Sequence, residues 1–452
     1  MLRNPSSIER FLLVCTAAVL LLCGNNDAAG QERPSVSVEG YVTALRTPTG
    51  FEVSGTTITT SPATGFALTG NGAPLPQSPW RGELRVGAYV QVFGVREEGE
   101  KSITAQEVFF RDEWSKKISG EGLVEKVLSA AAEPVFLADG YRIRIPAGAE
   151  LTFTGSVKTL AEVKPNTWLR YEGKRDTGGA LVASKAEFIP AKPLKISGKP
   201  LPQQEPVPLQ GAILAADGSL LRPNHKVRMN EGDPWCGWHR LCGDAALQER
   251  VQRVGRRVLP AFQKQLEGDS LDRIPFRFYA VDEAKVRSDL FCQEGLVVVP
   301  KQVVERLAND DQLAALLADG VAFNLQRRSP KLIAESYELL GAELAGDAAG
   351  AFSLPANLAN VLGSEIFMHK LALQMQEQRD RIALALLADA GYDPHQAPEA
   401  WRRLEPKTLP KDLNSLKYPK RSGYQLGILN LQYRTAPAPG NPPANAAPSG
   451  ER

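Results

Sequence analysis

Histidine is scarce in this chain: His225, His239, His369 and His395 are the only 4 in 452 residues. Catalytic zinc is usually held by three protein ligands plus a water, with imidazole prominent among them, so few ligands are on offer. Cysteine is scarce too, at 5 residues. Cys15 and Cys23 fall at the extreme N-terminus, which leaves Cys236, Cys242 and Cys292. A metal cluster would lack its fourth sulfur and the usual two-residue spacing, and no Cys–His pairing for a catalytic thiol can be inferred. In an oxidising compartment Cys236 and Cys242 are close enough to close a small loop, making them the candidate disulfide, with Cys292 left over. Charge of one sign is also missing. Lys and Arg number 53 against 51 Asp and Glu, a net +2, so no whole-molecule field draws the chain to nucleic acid or an anionic membrane.

Long apolar runs are absent as well. The run Phe11–Cys23, preceded by Arg3 and Arg10, is about seven residues short of the roughly 20 that a spanning helix needs. Followed by the small residues Ala28-Ala29-Gly30, it reads as an export signal over residues 1–30, with a periplasmic or secreted mature chain. Lipidation at Cys23 is disfavoured by the bulky Leu22 before it. What remains is 43% hydrophobic and 23% charged, the balance of a globular, multidomain protein.

Two related β-rich segments come first. Val38-Glu39-Gly40-Tyr41-Val42 is echoed by Gly120-Glu121-Gly122-Leu123-Val124, and Val86–Gly94 by Lys164–Gly173. A third echo matches Thr104–Phe109 with Ala183–Phe188. Short alternating strands between turn residues, in a repeat, predict two small all-β barrels over 36–112 and 117–190. The pattern resembles the OB-like barrel modules of exported bacterial proteins. Their basic and acidic residues are interleaved, and Tyr41, Tyr89, Phe93, Trp168 and Tyr171 fall at strand spacing, so packing or protein docking is expected and no nucleic acid partner. Residues 191–242 are a Pro-rich linker ending in Trp235-Cys236-Gly237-Trp238-His239, and residues 435–452 have too little apolar content to pack.

The segment 243–434 has a different texture. Leu247, Val251, Val254, Val258 and Phe262 recur at helical spacing across Asp244–Leu266. Ile274–Val281 and Ser288–Val299 read as strands. Asp310-Asp311-Gln312-Leu313 opens a further helix with acidic residues in its first turn, leading into Leu316-Leu317-Ala318-Asp319-Gly320-Val321-Ala322-Phe323. Later come Asp380, the turn Gly391-Tyr392-Asp393-Pro394, and Ser415-Leu416-Lys417-Tyr418-Pro419.

That order is similar to metallopeptidase family forty-eight, the zinc endopeptidases that include the CAAX prenyl proteases and periplasmic quality-control peptidases. The resemblance implies a mainly α zincin-like (α+β) peptidase-type domain behind the two barrels. It also implies an HExxH helix, in which two His one turn apart hold zinc and the Glu activates the bound water. The residues at those positions are Asp319, Gly320 and Phe323; the third ligand, a Glu in the family, falls on Gln376, and the late His on Tyr418. Asp380 holds the place of the family's supporting Asp and is expected to keep a structural hydrogen bond or ion pair. Asp319 and Gln376 offer one carboxylate and one amide, too little for zinc. Helical rise puts His369 about 10 Å from Gln376 along the axis, so it does not rebuild the site. Phe323 is expected to fill the emptied pocket.

The reading that follows is an exported, non-catalytic peptidase-like protein without cofactor, binding a protein or peptide partner or acting as a scaffold in the cell envelope, with membrane-periphery association open. Its alternative is an active metalloendopeptidase of the same family with altered metal ligands, which would need zinc.

Overall fold

In the computed structural model, the described residues are 35–191 (apart from 48, 71–72, 97–101, 112–115 and 177), the short pieces 195–196, 199–200, 226–228 and 238–240, and then 242–267, 270, 272–282, 295–326, 374–404 and 420–433. Two β-rich modules precede a helical region. Among the described residues no helix is long and apolar enough to cross a membrane.

The first module contains β1 (Ser35–Thr47), β2 (Gly50–Val53), β3 (Thr56–Thr59), β4 (Gly65–Leu68), β5 (Tyr89–Val95) and β6 (Ser102–Phe110). Antiparallel pairs β1–β2, β2–β3, β1–β5 and β5–β6, with parallel β3–β6, close a ring of five strands, and β4 pairs in parallel with β6 beyond β3, along the same edge. Alternation drives this: β5 buries every second residue, so Val90 and Val92 meet Val42, Phe51, Ile58 and Val108 inside. The second module repeats the order with β7 (Ile118–Ser129), β8 (Val135–Ala138), β9 (Tyr141–Arg144), β10 (Glu150–Phe153), β11 (Thr167–Arg175) and β12 (Leu181–Pro190). Its β9–β12 pairing is again parallel and again closes the ring. Corresponding hairpins turn on Ser54-Gly55 and Asp139-Gly140, both residues at positive φ in each, the conformation a tight two-residue hairpin needs.

Short pairs β13 (Lys195–Ile196) with β14 (Lys199–Pro200), and β15 (Lys226–Arg228) with β16 (Trp238–Arg240), lie between the modules and the helical region. There follow α1 (Ala245–Arg257), α2 (Ala261–Gln265), β17 (Arg277–Val281), β18 (Leu296–Pro300), α3 (Lys301–Arg306), α4 (Asp310–Gln326), α5 (374–389), α6 (Gln396–Arg403) and α7 (Lys420–Gln432). The helical run expected over Asp244–Leu266 is two helices, because Pro260 has no N–H for a continuing ladder and sits as the N-terminal flank of α2. β17 and β18 pair in parallel, and β18 is buried along its whole length. α4 is buried on nearly every face, from Gln312 to Gln326 except Phe323, which makes it the central helix. Cys242 is buried with a free thiol, and Cys236, its expected disulfide partner, lies outside the described residues.

The modules are not beads on a string. Trp168, whose strand spacing pointed to packing or protein docking, belongs with Leu123 to the core of the helical region. They sit on β7 and β11, on the side facing away from the module's own core of Val124, Leu169 and Phe188. Tyr41, at the place of Leu123 in the first module, packs on α7: a Cβ added to Gly427 would lie 2.3 Å from its ring. Gly87, at φ +85, brings its backbone so near α7 that a Cβ would come within 2.2 Å of the Leu426 carbonyl. Gly179 does the same in the second module, 2.1 Å from the Leu431 carbonyl. Both modules therefore grip α7.

Candidate functional site

α4 carries the positions where the resemblance expects zinc ligands. Its start is well specified: the Asn309 side chain accepts from the Gln312 N–H at 2.9 Å, and Asp310 pairs with Arg250 at 2.7 Å and Arg253 at 3.0 Å. An apolar run then carries the helix through the interior, interrupted by Asp319, whose side chain is 1% exposed. A buried carboxylate is tolerated only when paired and hydrogen-bonded.

The pairing comes from two guanidinium groups on two other helices. Arg379 of α5 grips Asp319 with two parallel bonds, Nε to Oδ1 at 2.9 Å and Nη2 to Oδ2 at 2.8 Å. Arg421 of α7, 5% exposed, brings Nη2 to 2.8 Å from Asp319 Oδ1 and from Asp380 Oδ1. Its Nε donates to Asp380 Oδ1 at 2.8 Å, and its plane lies 3.4 Å from the Trp401 ring centre. Gln425, one turn further along α7, donates to the same Asp380 oxygen at 2.8 Å. Asp380 Oδ2 is buried without a hydrogen-bond partner among the described residues.

Two carboxylates and two guanidiniums thus form a buried quartet joining α4, α5 and α7. Burial pushes the Asp319 carboxyl up, but Arg379 and Arg421 outweigh it and hold it below the usual carboxylate value. At Asp380 burial wins: opposed by Arg421 but reinforced by the negative charge of Asp319, it raises that carboxyl. Arg421 is held charged still more firmly than an ordinary arginine, its desolvation overcome by both carboxylates.

Of the remaining expected site residues, Gln376, Gly320 and Phe323 fall beside the quartet. Gln376 is buried one turn before Asp380 and directs its amide N–H toward Asp380 Oδ1 at 3.4 Å. Gly320 contributes only its carbonyl, which accepts from Asn324 at 3.0 Å. Phe323 is partly exposed, its ring 5.6 Å from the Arg379 guanidinium carbon. The space by Asp319 is therefore filled by arginine, not by Phe323. Tyr418 and His369 lie outside the described residues. His395 is exposed beside Asp393 at 3.0 Å. The turn Gly391-Tyr392-Asp393-Pro394 closes α5: Tyr392 N–H bonds to the Leu387 carbonyl and Gly391 N–H to that of Ala388, with Gly391 at φ +73.

These donors do not fit zinc. Asp319 has both oxygens committed to guanidiniums, Gly320 has no side chain, Phe323 has no lone pair and Gln376 presents its donor rather than its carbonyl. A dication beside two buried guanidiniums would also meet strong like-charge repulsion.

Arg421 and Gln425 were not legible in the sequence as site residues. One signal existed: a lone Asp in the apolar run of α4 demands a buried cation, and Arg379, already adjacent to Asp380 in sequence, is a natural source. Nothing in the sequence placed Arg421 there, since it comes from a separate helix.

A family model described as a domain of unknown function, DUF5666, matches residues 39–108, the first β module. The chain is 26% identical over 220 residues to a β-barrel assembly-enhancing protease of Yersinia pestis, covering 45% of this chain and 42% of that protein. It is 24% identical over 163 residues to the mitochondrial metalloendopeptidase OMA1 of Saccharomyces cerevisiae, covering 35% of this chain and 46% of the other. The chain thus spans less than half the length of the curated relatives it matches. These similarities support a metallopeptidase-like region in this chain.

Proposed function

We propose that this chain is an exported, non-catalytic member of the family forty-eight type, with a zincin-like domain in which the metal centre has become a structural salt-bridge quartet. The observation that carries this is the double guanidinium grip on Asp319. A buried ionised carboxylate needs compensating charge or hydrogen bonds, and Arg379 and Arg421 supply both to Asp319. Among the described residues the quartet lacks the family's water-activating group: the Glu position is Gly320, both Asp319 oxygens are held by Arg379, and Asp380 is held at Oδ1 by Arg421 and Gln425.

The relatives named as proteases make peptide or protein binding in the cell envelope the role that best fits what is left. The repeated strand order, with its parallel closing pair, supports reading the β modules as OB-like barrels used for packing rather than for nucleic acid. Their grip on α7 supports a scaffold in which barrels and helical region act as one body.

The test is proteolysis of a casein-type substrate by the purified full chain, with and without a chelator. The proposal expects no cleavage above a buffer control in either case. Chelator-sensitive cleavage that survives repurification would establish the alternative, an active metalloendopeptidase with altered ligands.

A further inference from the structure

Glu125 is a buried carboxyl at the boundary between the second β module and the helical region, and it belongs to no ion pair or site described so far. It lies on β7 where the register against β8 slips between Val124 and Lys126, so it is the extra residue of a β-bulge. Bulges re-aim a side chain out of the alternating pattern. The first module has the same slip at the same place, between Val42 and Ala44, with Thr43 as the extra residue. Thr43 is satisfied within its own module, donating to Glu52 Oε1 at 2.8 Å. Glu125 is not: both carboxyl oxygens are buried, and neither has a hydrogen-bond partner among the described residues.

What surrounds Glu125 comes from three directions. In its own module stand the backbone of Gly140, which after burial is the largest influence and favours the ionised form, and Asp139 at the β8–β9 turn, which opposes it. Asp139 is already committed to Arg381 of α5 at 2.7 Å and to the Tyr171 hydroxyl. From the end of α5 comes Asp389, held by Lys126 at 2.6 Å. From the end of α7 comes Tyr433, whose hydroxyl is pushed up by burial and by Glu125, with Arg142 of β9 opposing. Among the described residues no cation pairs with Glu125, and the two charged side chains that act on it, Asp139 and Asp389, are acidic. With no counter-charge and only the Gly140 backbone to favour it, the ionised form is outweighed by burial and the two acidic neighbours, so the carboxyl is held neutral.

We propose that Glu125 is a proton-operated latch: neutral, it stays buried between the second β module, the end of α5 and Tyr433, and its ionisation loosens that module from the helices. Burial first, then Asp139 and Asp389, raise this carboxyl well above its ordinary value of 4.5. The sign follows. Docking is at full strength below the ordinary value and is lost as pH rises through the raised one. The device is independent of the quartet, and it holds whether or not the chain has a catalytic activity.

The experiment is hydrogen–deuterium exchange of the full chain between about pH 5 and about pH 8.5, corrected for intrinsic exchange, reading peptides from 374–389 and 420–433. In the wild type, protection of these peptides should fall by up to roughly tenfold per pH unit once Glu125 begins to ionise. Glu125→Gln, which stays neutral, and Glu125→Thr, which copies the residue of the first module, should each flatten that dependence. Equal pH dependence in wild type and either variant would overturn the latch. A second readout needs only one of the variants to fold: the infrared band of a protonated carboxyl in the wild type at neutral pH, missing from the variant. If the wild type shows no such band, Glu125 is ionised in the docked state and the proposal fails.

Discussion

Replacing Arg421 by Met removes one guanidinium from a buried quartet while keeping most of the side-chain volume. Two attractions are lost, to Asp319 and to Asp380, each at 2.8 Å between nearest atoms. With charge centres about 4 Å apart and an effective dielectric near 20, each is worth about 4 kcal/mol. Stacking on Trp401 adds on the order of 2 kcal/mol when desolvated. Against this, the variant no longer desolvates a guanidinium, a saving of several kcal/mol. The remainder is about 3–5 kcal/mol, the usual cost of breaking a buried pair by removing one partner. The loss should be read by urea unfolding followed by circular dichroism, with the slope unchanged so that the midpoint reports stability alone. Asp380 is already raised by burial, and without Arg421 it goes higher. Stability from a raised group is lost as pH rises through its folded value, so the R421M penalty should be larger at neutral than at acid pH. Removing the pair together, as R421M with Asp380→Leu, leaves the Asp319–Arg379 grip intact and should recover at least about 2 kcal/mol relative to additivity. An R421M cost under about 1 kcal/mol at neutral pH, or strict additivity in the double variant, would mean that Arg421 does not stabilise the quartet.

Other predictions follow from the same contacts. Asp139→Ala strands Arg381, whose side chain is 11% exposed, and should cost about 3–5 kcal/mol in the same unfolding measurement. Gly87→Ala meets both a left-handed backbone at φ +85 and the Leu426 carbonyl, so it should destabilise by roughly 1–3 kcal/mol and raise exchange along α7; unchanged exchange there would contradict the grip of the first module. Asp319→Asn should lower stability at neutral pH, and the difference from wild type should vanish in acid, because the depressed Asp319 contributes above its ordinary value of 3.8 and loses that contribution as pH falls through its folded one. Restoring ligands alone, as D319H with G320E, F323H and Q376E, should not recover zinc binding by metal analysis unless Arg379 and Arg421 are also replaced.

The β modules were largely legible because their signals are local. Alternation in β5 and β11 and the turn pairs Ser54-Gly55 and Asp139-Gly140 sit within a few residues of the strands they organise. Alternation names two faces but not what covers each, and so Leu123 and Trp168 could not be seen to belong to the helical core. The frame of the candidate site was legible for a similar reason: Gly391 and Tyr392 end α5 by bonds to residues within six positions. Its chemistry was not. Asp319 meets Arg421 from a helix about a hundred residues away, and no period or motif connects them. The bulge at Glu125 was invisible as well, since a one-residue register slip is a property of two strands together.

A quartet of fixed charges stands where the resemblance expects a metal centre. Equilibrium dialysis of the purified full chain against zinc, followed by elemental analysis, tests it most directly. Zinc should stay far below one equivalent per chain, unchanged in Asp319→Asn. One tightly held equivalent, lost in that variant, would contradict it.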